Sequence, residues 1–550
     1  MKIDFFEEHR RLLEDPARSP FGEYARALEE LGARLSSLAG GCLQALHASD
    51  YPFAIALRPY YYMSALQFAN VKYFPQPRGD ETPTLRPFDR LVEMFDTGRD
   101  DPLHGLVHRL AFAELTEKAV ERLLDEVPAA SIARSASRPP RELQRASPGL
   151  RLGLSLSLTG VEEAVLSLLG RGRIRLIRPR RSPGYLLNVG LRKRLLRALK
   201  GQADALPPDS AAVRVLLASA ALLPTYYLEG FADHLAEAST LADSIVGLVG
   251  GTEYHHHPQI ALLIPLLTAR GRITVGAQHG GLYGQTDPSW HETAERFLFE
   301  RYLTWGYRHT PQDVPMPVVR MSRPRIDHGM FRLRRKVFGP ETSSTLVILP
   351  CIYDTLSFGT YSPSVNRQVE ALRATFDILA GSGPESGSFV LRCHPRNRQV
   401  DYAEAVPDLL RERITFAQGS RGSLARDAHR YAEVVFTSPN ATGITECLSN
   451  NVEFGIVADP ALYHIRPEAR SVYDGLIRAR VWMVDSAARS DCLARPSELA
   501  GQRREALDRF AEQYALRSSG YLGQWSRFLD ETYRSGLARI RGAGDRSEPA

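Results

Sequence analysis

The 550-residue sequence holds only five cysteines, Cys42, Cys351, Cys393, Cys447 and Cys492, and no two of them stand at CxxC spacing. That argues against a zinc ribbon or a disulfide framework and fits a reducing compartment. No apolar run approaches the roughly 20 residues that a membrane-spanning helix requires. The opening MKIDFFEEHRRLLEDP carries acids where a signal peptide carries its apolar core, so a cytoplasmic location is expected. There is no DxD motif, which leaves a metal–diphosphate grip without an anchor, and no cofactor is expected. A P-loop, a GxGxxG turn after a strand and a GxSxG nucleophile elbow are also missing. His255, His256 and His257 are consecutive, and consecutive side chains point apart rather than converge on one ion.

Acidic residues are missing from one long stretch. The formal charge is +6, yet Arg171 to Lys200 reads RGRIRLIRPRRSPGYLLNVGLRKRLLRALK without a single acid. Such a block attracts phosphates or anionic headgroups, or simply forms a solvated basic face. Aromatic residues are not interleaved as a single-strand platform requires, so nucleic acid is not an expected partner. Peripheral contact with an anionic inner-membrane surface is one.

What is present points to two or three domains. The first 130 residues show helical periodicity in FGEYARALEELGARLSSLAGGCLQAL and LVHRLAFAELTEKAVERLLDEV. Residues 129–151 read as a surface loop or a partly disordered excursion. From Ser244 the pattern changes: SIVGLVGG reads as a buried strand, IALLIPLLTAR as a helix and RITVGAQHGG as a strand entering a glycine turn. After Pro340 a second series begins, with STLVILPCI, FVLRCHP, EVVFTS, VEFGIVAD and VWMVD as strands and helices between most of them. The expected architecture is α/β, with two Rossmann-like domains facing a cleft behind a largely helical N-terminal region. The expected boundaries are 1–320 for the helical region plus first Rossmann-like domain, 341–535 for the second, and 536–550 for a disordered tail. The Pro- and Arg-rich stretch from Arg308 to Pro340 would connect them.

In such sheets ligands sit beyond the carboxyl ends of the strands, so residues just after predicted strands are the candidates. Gln278, His279, Gly280 and Gly281 follow RITVGA; the glycines allow close backbone approach, and His279 can carry a proton or bind an anion. Arg392, His394 and Pro395 close FVLRCHP, where a cation beside a departing phosphate would act electrostatically. Ser438, Thr442, Thr445 and Glu446 lie between EVVFTS and the next helix, where hydroxyls and free amides make an anion site. The same residues nearly fit a capping box. Glu253, Asp287 and Glu292 are the acids of the first unit placed to act in catalysis, with His279 as an alternative base.

These segments resemble a known family. QHGGLYG followed by FLFERYLTWGY is similar to a surface-carbohydrate transferase family with a QHGG-x-YG…LTWG signature. The likeness runs through LPTYYLEGF, SPNATGITECLSNNVEFGIV and ALYHIRPEARSVYDGLIRARVW, which includes Arg466, and covers about Leu222 to Asp485. That family resembles GT-B capsule and O-antigen transferases for Kdo and related acidic sugars. The resemblance implies a GT-B fold, a CMP-activated donor gripped by His394-Pro395 and the Ser438/Thr442/Thr445 group, and a glycan or lipid-linked glycan acceptor. Two departures stand out: Thr442-Gly443-Ile444-Thr445-Glu446 replaces two adjacent hydroxyls, and Glu300 stands where the family has Asp. A CDP-glycerol or UDP-sugar enzyme on the same fold, an epimerase, and a non-catalytic scaffold subunit are the alternatives.

Overall fold

The computed structural model describes residues 21–73, 120, 150–156, 160–178, 185, 188–206, 211–255, 257–281, 283–286, 289–317, 322–349, 365–383, 387–393, 406–417, 424–439, 442–463, 465–516 and 520–544. Two helices open it, α1 (Phe21–His47) and α2 (Phe53–Tyr73), packed on each other. Leu28, Leu35, Ala39 and Leu43 recur at helical spacing on α1 and are all buried.

The first sheet takes β1 (Arg151–Ser155), β2 (Ile174–Leu176), β3 (Ile245–Gly250), β4 (Ile273–Ala277), β5 (Arg301–Thr304) and β6 (Asp313–Pro315). Its order is β2-β1-β3-β4-β5-β6, all parallel. Helices α3 (Gly160–Leu169), α4 (Val189–Ala203), α5 (Ala211–Leu222), α6 (Phe231–Asp243), α7 (Pro258–Ala269) and α8 (Trp290–Arg296) accompany it. Every residue of β3 is buried, which is why IVGLVG is apolar throughout rather than alternating.

The basic block is not one surface face. It supplies β2 and most of α4, and Arg192 is buried there. Its guanidinium meets Glu229 through Nε–Oε1 at 2.7 Å and Nη2–Oε2 at 3.0 Å, and donates from Nη1 to the Ala221 carbonyl at 2.7 Å. A buried cation paired and hydrogen-bonded in this way is an interior strut.

Helix α9 (Ser322–Phe338) occupies the stretch expected to be only a connection. The second sheet follows: β7 (Thr342–Ile348), β8 (Phe389–Arg392), β9 (Ile414–Phe416), β10 (Tyr431–Phe436), β11 (Gly455–Val457) and β12 (Trp482–Met483). Its order is β12-β11-β10-β7-β8-β9, again parallel. Counted within this unit the order is 6-5-4-1-2-3, the doubly wound Rossmann arrangement. Its helices are α10 (Val365–Gly381), α11 (Asp408–Arg411), α12 (Leu424–Arg430), α13 (Thr442–Ser449), α14 (Pro467–Arg478), α15 (Ser486–Ala494) and α16 (Pro496–Tyr514). Two Rossmann-like halves of this kind make an α/β GT-B fold.

The last helix, α17 (Tyr521–Gly544), corrects the expected boundaries twice. It extends to Gly544, past the tail start expected at 536. It also packs on β1, β3, β4 and α3 of the first unit, although residues up to 535 are expected in the second. Trp525, Phe528 and Leu529 supply the reason, being buried with Leu152, Val246, Val249 and Val275 of the first sheet.

Candidate active site

The segment 278–286 leaves the carboxyl end of β4 and is fixed by its own side chains. The Gln278 amide donates to the Gly280 carbonyl at 2.7 Å and accepts from the Trp305 N–H at 2.8 Å, tying the tips of β4 and β5 together. Gly284 has φ +75°, and a Cβ there would lie 2.6 Å from the Tyr307 ring. Glycine is therefore required on both counts. Gly306 (φ +139°) has the Gln513 carbonyl 2.8 Å from where its Cβ would be, so the second domain presses on the LTWG turn.

His279 is partly exposed, and its Nδ1 lies 2.9 Å from both Glu295 Oε1 and the Tyr283 hydroxyl. Glu295 is buried; it also accepts from Tyr283 at 3.0 Å and from the Tyr302 hydroxyl. An imidazole backed by a buried carboxylate is the arrangement of an oriented general base. Burial, followed by the Glu295 charge, pushes the Tyr302 hydroxyl well above its ordinary range, so it stays a donor. The sequence reading did not single out Glu295. Its signal was there, three residues after Glu292 on the same helical face.

Glu292 is buried and saturated. It accepts from the Gly284 N–H at 2.9 Å, Arg296 Nη2 at 2.8 Å and the Tyr307 hydroxyl at 3.0 Å, and pairs with Arg466 Nη2 at 3.3 Å. Burial alone would raise its carboxyl, but the Arg466 and Arg296 charges outweigh it and hold the group below the ordinary range. Arg296 reaches on to Asp313 at 2.5 Å, which itself accepts from the His309 and Thr310 N–H groups.

Arg466 comes from the second domain. It donates from Nε to the Thr286 carbonyl at 3.1 Å, and its own N–H meets the Gln285 carbonyl at 2.9 Å, beside an antiparallel bridge between Thr286 and Ile465. Tyr473 donates to Gln285 Oε1 at 2.5 Å, and Tyr307 packs on Tyr514 with ring centroids 6.1 Å apart. The 278–286 loop, the 304–307 turn and the 465–473 segment thus form one buried seam between the halves.

Across the seam, Thr437, Ser438 and the start of α13 follow the carboxyl end of β10, where the second sheet reverses its winding beside β7. Thr437 bonds the Ile348 carbonyl through both its N–H (3.2 Å) and its hydroxyl (3.1 Å). Ser438 is buried and hydrogen-bonds Tyr463, whose hydroxyl burial pushes up to about 12. Thr442 is exposed at the start of α13, whereas Thr445 is buried on its inner face. Arg392, partly exposed, donates to Asp427 at 2.6 Å. Glu446 accepts from His328 Nε2 at 3.0 Å, and His328 Nδ1 is 3.1 Å from His429 Nε2. Burial, with the charges of His328, Arg332 and Arg335, pulls His429 down to about 4. A carboxylate can only accept, so His328 donates from Nε2 to Glu446 while its Nδ1 faces His429. His328 went unremarked in the sequence because it lies in the stretch read as a connection.

Glu253 is buried in a turn after β3, at the reversal point of the first sheet, where Gly251 N–H meets the Ser155 carbonyl at 2.9 Å. Gly280 and Gly281 lie within the seam loop. Asp287, His394 and Pro395 fall outside the described residues. Glu300 forms a two-point pair with Arg539 of α17 at 2.7 and 2.6 Å. Among the described residues no group of three or more His, Cys, Asp or Glu is placed to hold a metal ion, and no helix is long and apolar enough to cross a membrane.

A family model described as LIC12162 family transferase matches residues 202–529, more than half of the chain. The chain belongs to this family. The matched span contains β3 to β12 and every element of the seam. No curated protein matches the sequence. Among solved structures the chain is similar to a UDP-GlcNAc 2-epimerase from Neisseria meningitidis bound to UDP-GlcNAc, at 10% identity and a TM-score of 0.37, over 69% of this chain and 98% of that one. A UDP-glucosyltransferase from Polygonum tinctorium gives 10% and 0.37 over 71% and 99%. An O-GlcNAc transferase mutant from Thermobaculum terrenum gives 12% and 0.31 over 99% and 98%. At these scores the likenesses say nothing of substrate, and the fold assignment rests on the strand order itself.

Proposed function

We propose that this transferase moves a sugar from a nucleotide-sugar, a CMP-linked acidic sugar such as Kdo, to a surface-polysaccharide acceptor without a metal ion. One observation carries the reading: the hydroxyl-rich segment Thr437–Glu446 lies at the winding reversal of a sheet with Rossmann order, where this architecture receives nucleotides. Thr442 and the first amides of α13 hold the phosphate, with Ser438 and Thr445 fixing the segment from beneath. Glu446, oriented by His328, takes the ribose hydroxyls. Arg392, with His394 after it, neutralises the departing phosphate.

From the first domain, His279 accepts the acceptor hydroxyl's proton as that oxygen bonds the anomeric carbon and the carbon–phosphate-oxygen bond breaks. Glu295 holds the imidazole for this step. Glu292 acts by position and charge, joining Arg466 to the loop that carries His279; Glu253 and Asp287 are the other candidate acids of that domain. The acceptor is a glycan or lipid-linked glycan.

The test is nucleotide release from CMP-, UDP- and GDP-sugars in the presence of glycan acceptor fractions. CMP release that falls roughly 10²–10⁴-fold in kcat in His279→Ala is the expected result. Release from UDP-sugars alone would replace the donor, and no release from any donor by folded protein would refute transfer.

A further inference from the structure

The inward side of α9 is accounted for. His328 reaches Glu446, Arg332 donates to the Asn450 carbonyl, and Arg335 donates to the carbonyls of Ala428, Tyr431 and Ala432 at 3.1–3.3 Å. The opposite side is apolar and open. Met330, Leu333, Val337 and Phe338 are between 58% and 79% exposed. At 100° per residue they fall within one arc of the helix, away from His328, Arg332 and Arg335. Exposed apolar residues are ordinary singly, but four on one stripe of one helix mark a binding face.

The charges say what binds. Over Ser322–Phe338 the sequence has six cations, Arg323, Arg325, Arg332, Arg334, Arg335 and Lys336, against the single acid Asp327. Lys336 is exposed beside the apolar stripe, and Arg334 is exposed with Glu341 at 3.0 Å as the nearby acid. Helix α3, which touches α9, carries Leu168 in its last turn, also 79% exposed, and runs on towards Arg171. A helix with an apolar stripe and a cationic border lies in the headgroup layer of an anionic bilayer. Arg332 and Arg335 are spent on inward carbonyls, so the cations of the open side are Arg334, within the stripe, and Lys336 at its edge; a second copy would set these like charges against one another.

We propose that α9 is a membrane-surface anchor, with Met330, Leu333, Val337 and Phe338 entering the headgroup boundary of an anionic leaflet and Lys336 and Arg334 pairing with its phosphates. The proposal goes beyond the transferase reading by naming the face. The same helix reaches Glu446 through His328, so anchoring would hold the proposed nucleotide site at the membrane surface, where a lipid-linked acceptor lies.

The experiment is sedimentation of the full chain with vesicles of phosphatidylcholine alone and of phosphatidylcholine mixed with phosphatidylglycerol, without nucleotide or acceptor. Binding to the anionic vesicles, weakened at least tenfold by Leu333→Gln with Phe338→Gln, is expected. Lys336→Glu should weaken binding to anionic vesicles and leave the neutral ones unaffected. All three positions are exposed, and unchanged thermal unfolding of the variants checks that they fold. No sedimentation of the wild type, or equal sedimentation of wild type and double variant, overturns the proposal. Conversion of a wild-type dimer to a monomer by the double variant also overturns it, because a second copy then covers the face. Because the readout involves no nucleotide, its failure would leave the transferase reading standing.

Discussion

Replacing Glu292 by glutamine tests the seam. The carboxylate is 1% exposed and lies between Arg296 at 2.8 Å and Arg466 at 3.3 Å, the latter 14% exposed. At an effective dielectric of about 20, a pair at these separations is worth roughly 5–6 kcal/mol of gross attraction before desolvation. Arg296 keeps Asp313 in the variant and Arg466 keeps the Thr286 carbonyl, so neither cation is wholly stranded. Glutamine also turns an amide N–H₂ toward donors. Removing one partner of a buried pair costs about 3–5 kcal/mol, and Glu292→Gln should fall in that range. Arg466→Met should cost less, since Glu292 retains Arg296. Unfolding in urea, followed by fluorescence of both halves, gives the numbers, and the double variant gives a coupling of about 1–3 kcal/mol. A cost below about 1 kcal/mol for Glu292→Gln, or additive single effects, would refute the claim that this pair fastens the two domains.

Gly284→Ala should destabilise by about 2–4 kcal/mol, since both the positive φ and the Tyr307 ring oppose a Cβ; thermal unfolding checks it. Acid should weaken the fold in two stages. His429 is lowered from 6.5 to about 4, so the unfolded chain binds the extra proton between those values and stability falls as pH drops from 6.5 towards 4. His234, lowered to about 4 by its burial, acts in the same direction. Glu292, held below 4.5, adds its loss only below that pH. Melting temperatures unchanged from pH 7 to 5 would contradict the assignment of His429 as neutral. His328→Ala should weaken nucleotide binding roughly tenfold while leaving Arg392 in place, measured by titration calorimetry; unchanged affinity would remove the positioning role of the histidine chain.

Much of the fold is legible in the chain because buried parallel strands are written as short apolar runs. IVGLVG, ITVGA, TLVI and EVVF each announce themselves. β2 and β9 escape notice because each is three residues long and only Ile414 among their six residues is buried. Helix α9 escapes because one side of it is polar and pinned while the other is apolar and open, leaving no apolar face directed at a core. The site is legible in part. Strand ends direct attention to His279, Arg392 and Ser438, but Glu295 and His328 matter through partners far along the chain or through a buried hydroxyl cluster. The paired glycines of QHGG suggest backbone near a ligand; Gly284 and Gly306, which carry no such reading, serve close packing, against Tyr307 and against the second domain.

The central claim is that a nucleotide binds at the reversal of the second sheet, and thermal shift with CMP, CDP, UDP, GDP and dTDP tests it most directly. A ligand at a hundred times its dissociation constant stabilises by about 2.7 kcal/mol, which is readily measured. The account predicts stabilisation by CMP that is lost in Thr442→Ala, whose unliganded melting point holds, and in Arg392→Ala, measured from that variant's own unliganded melting point. Stabilisation that survives both substitutions, or none by any of the five nucleotides, would contradict it.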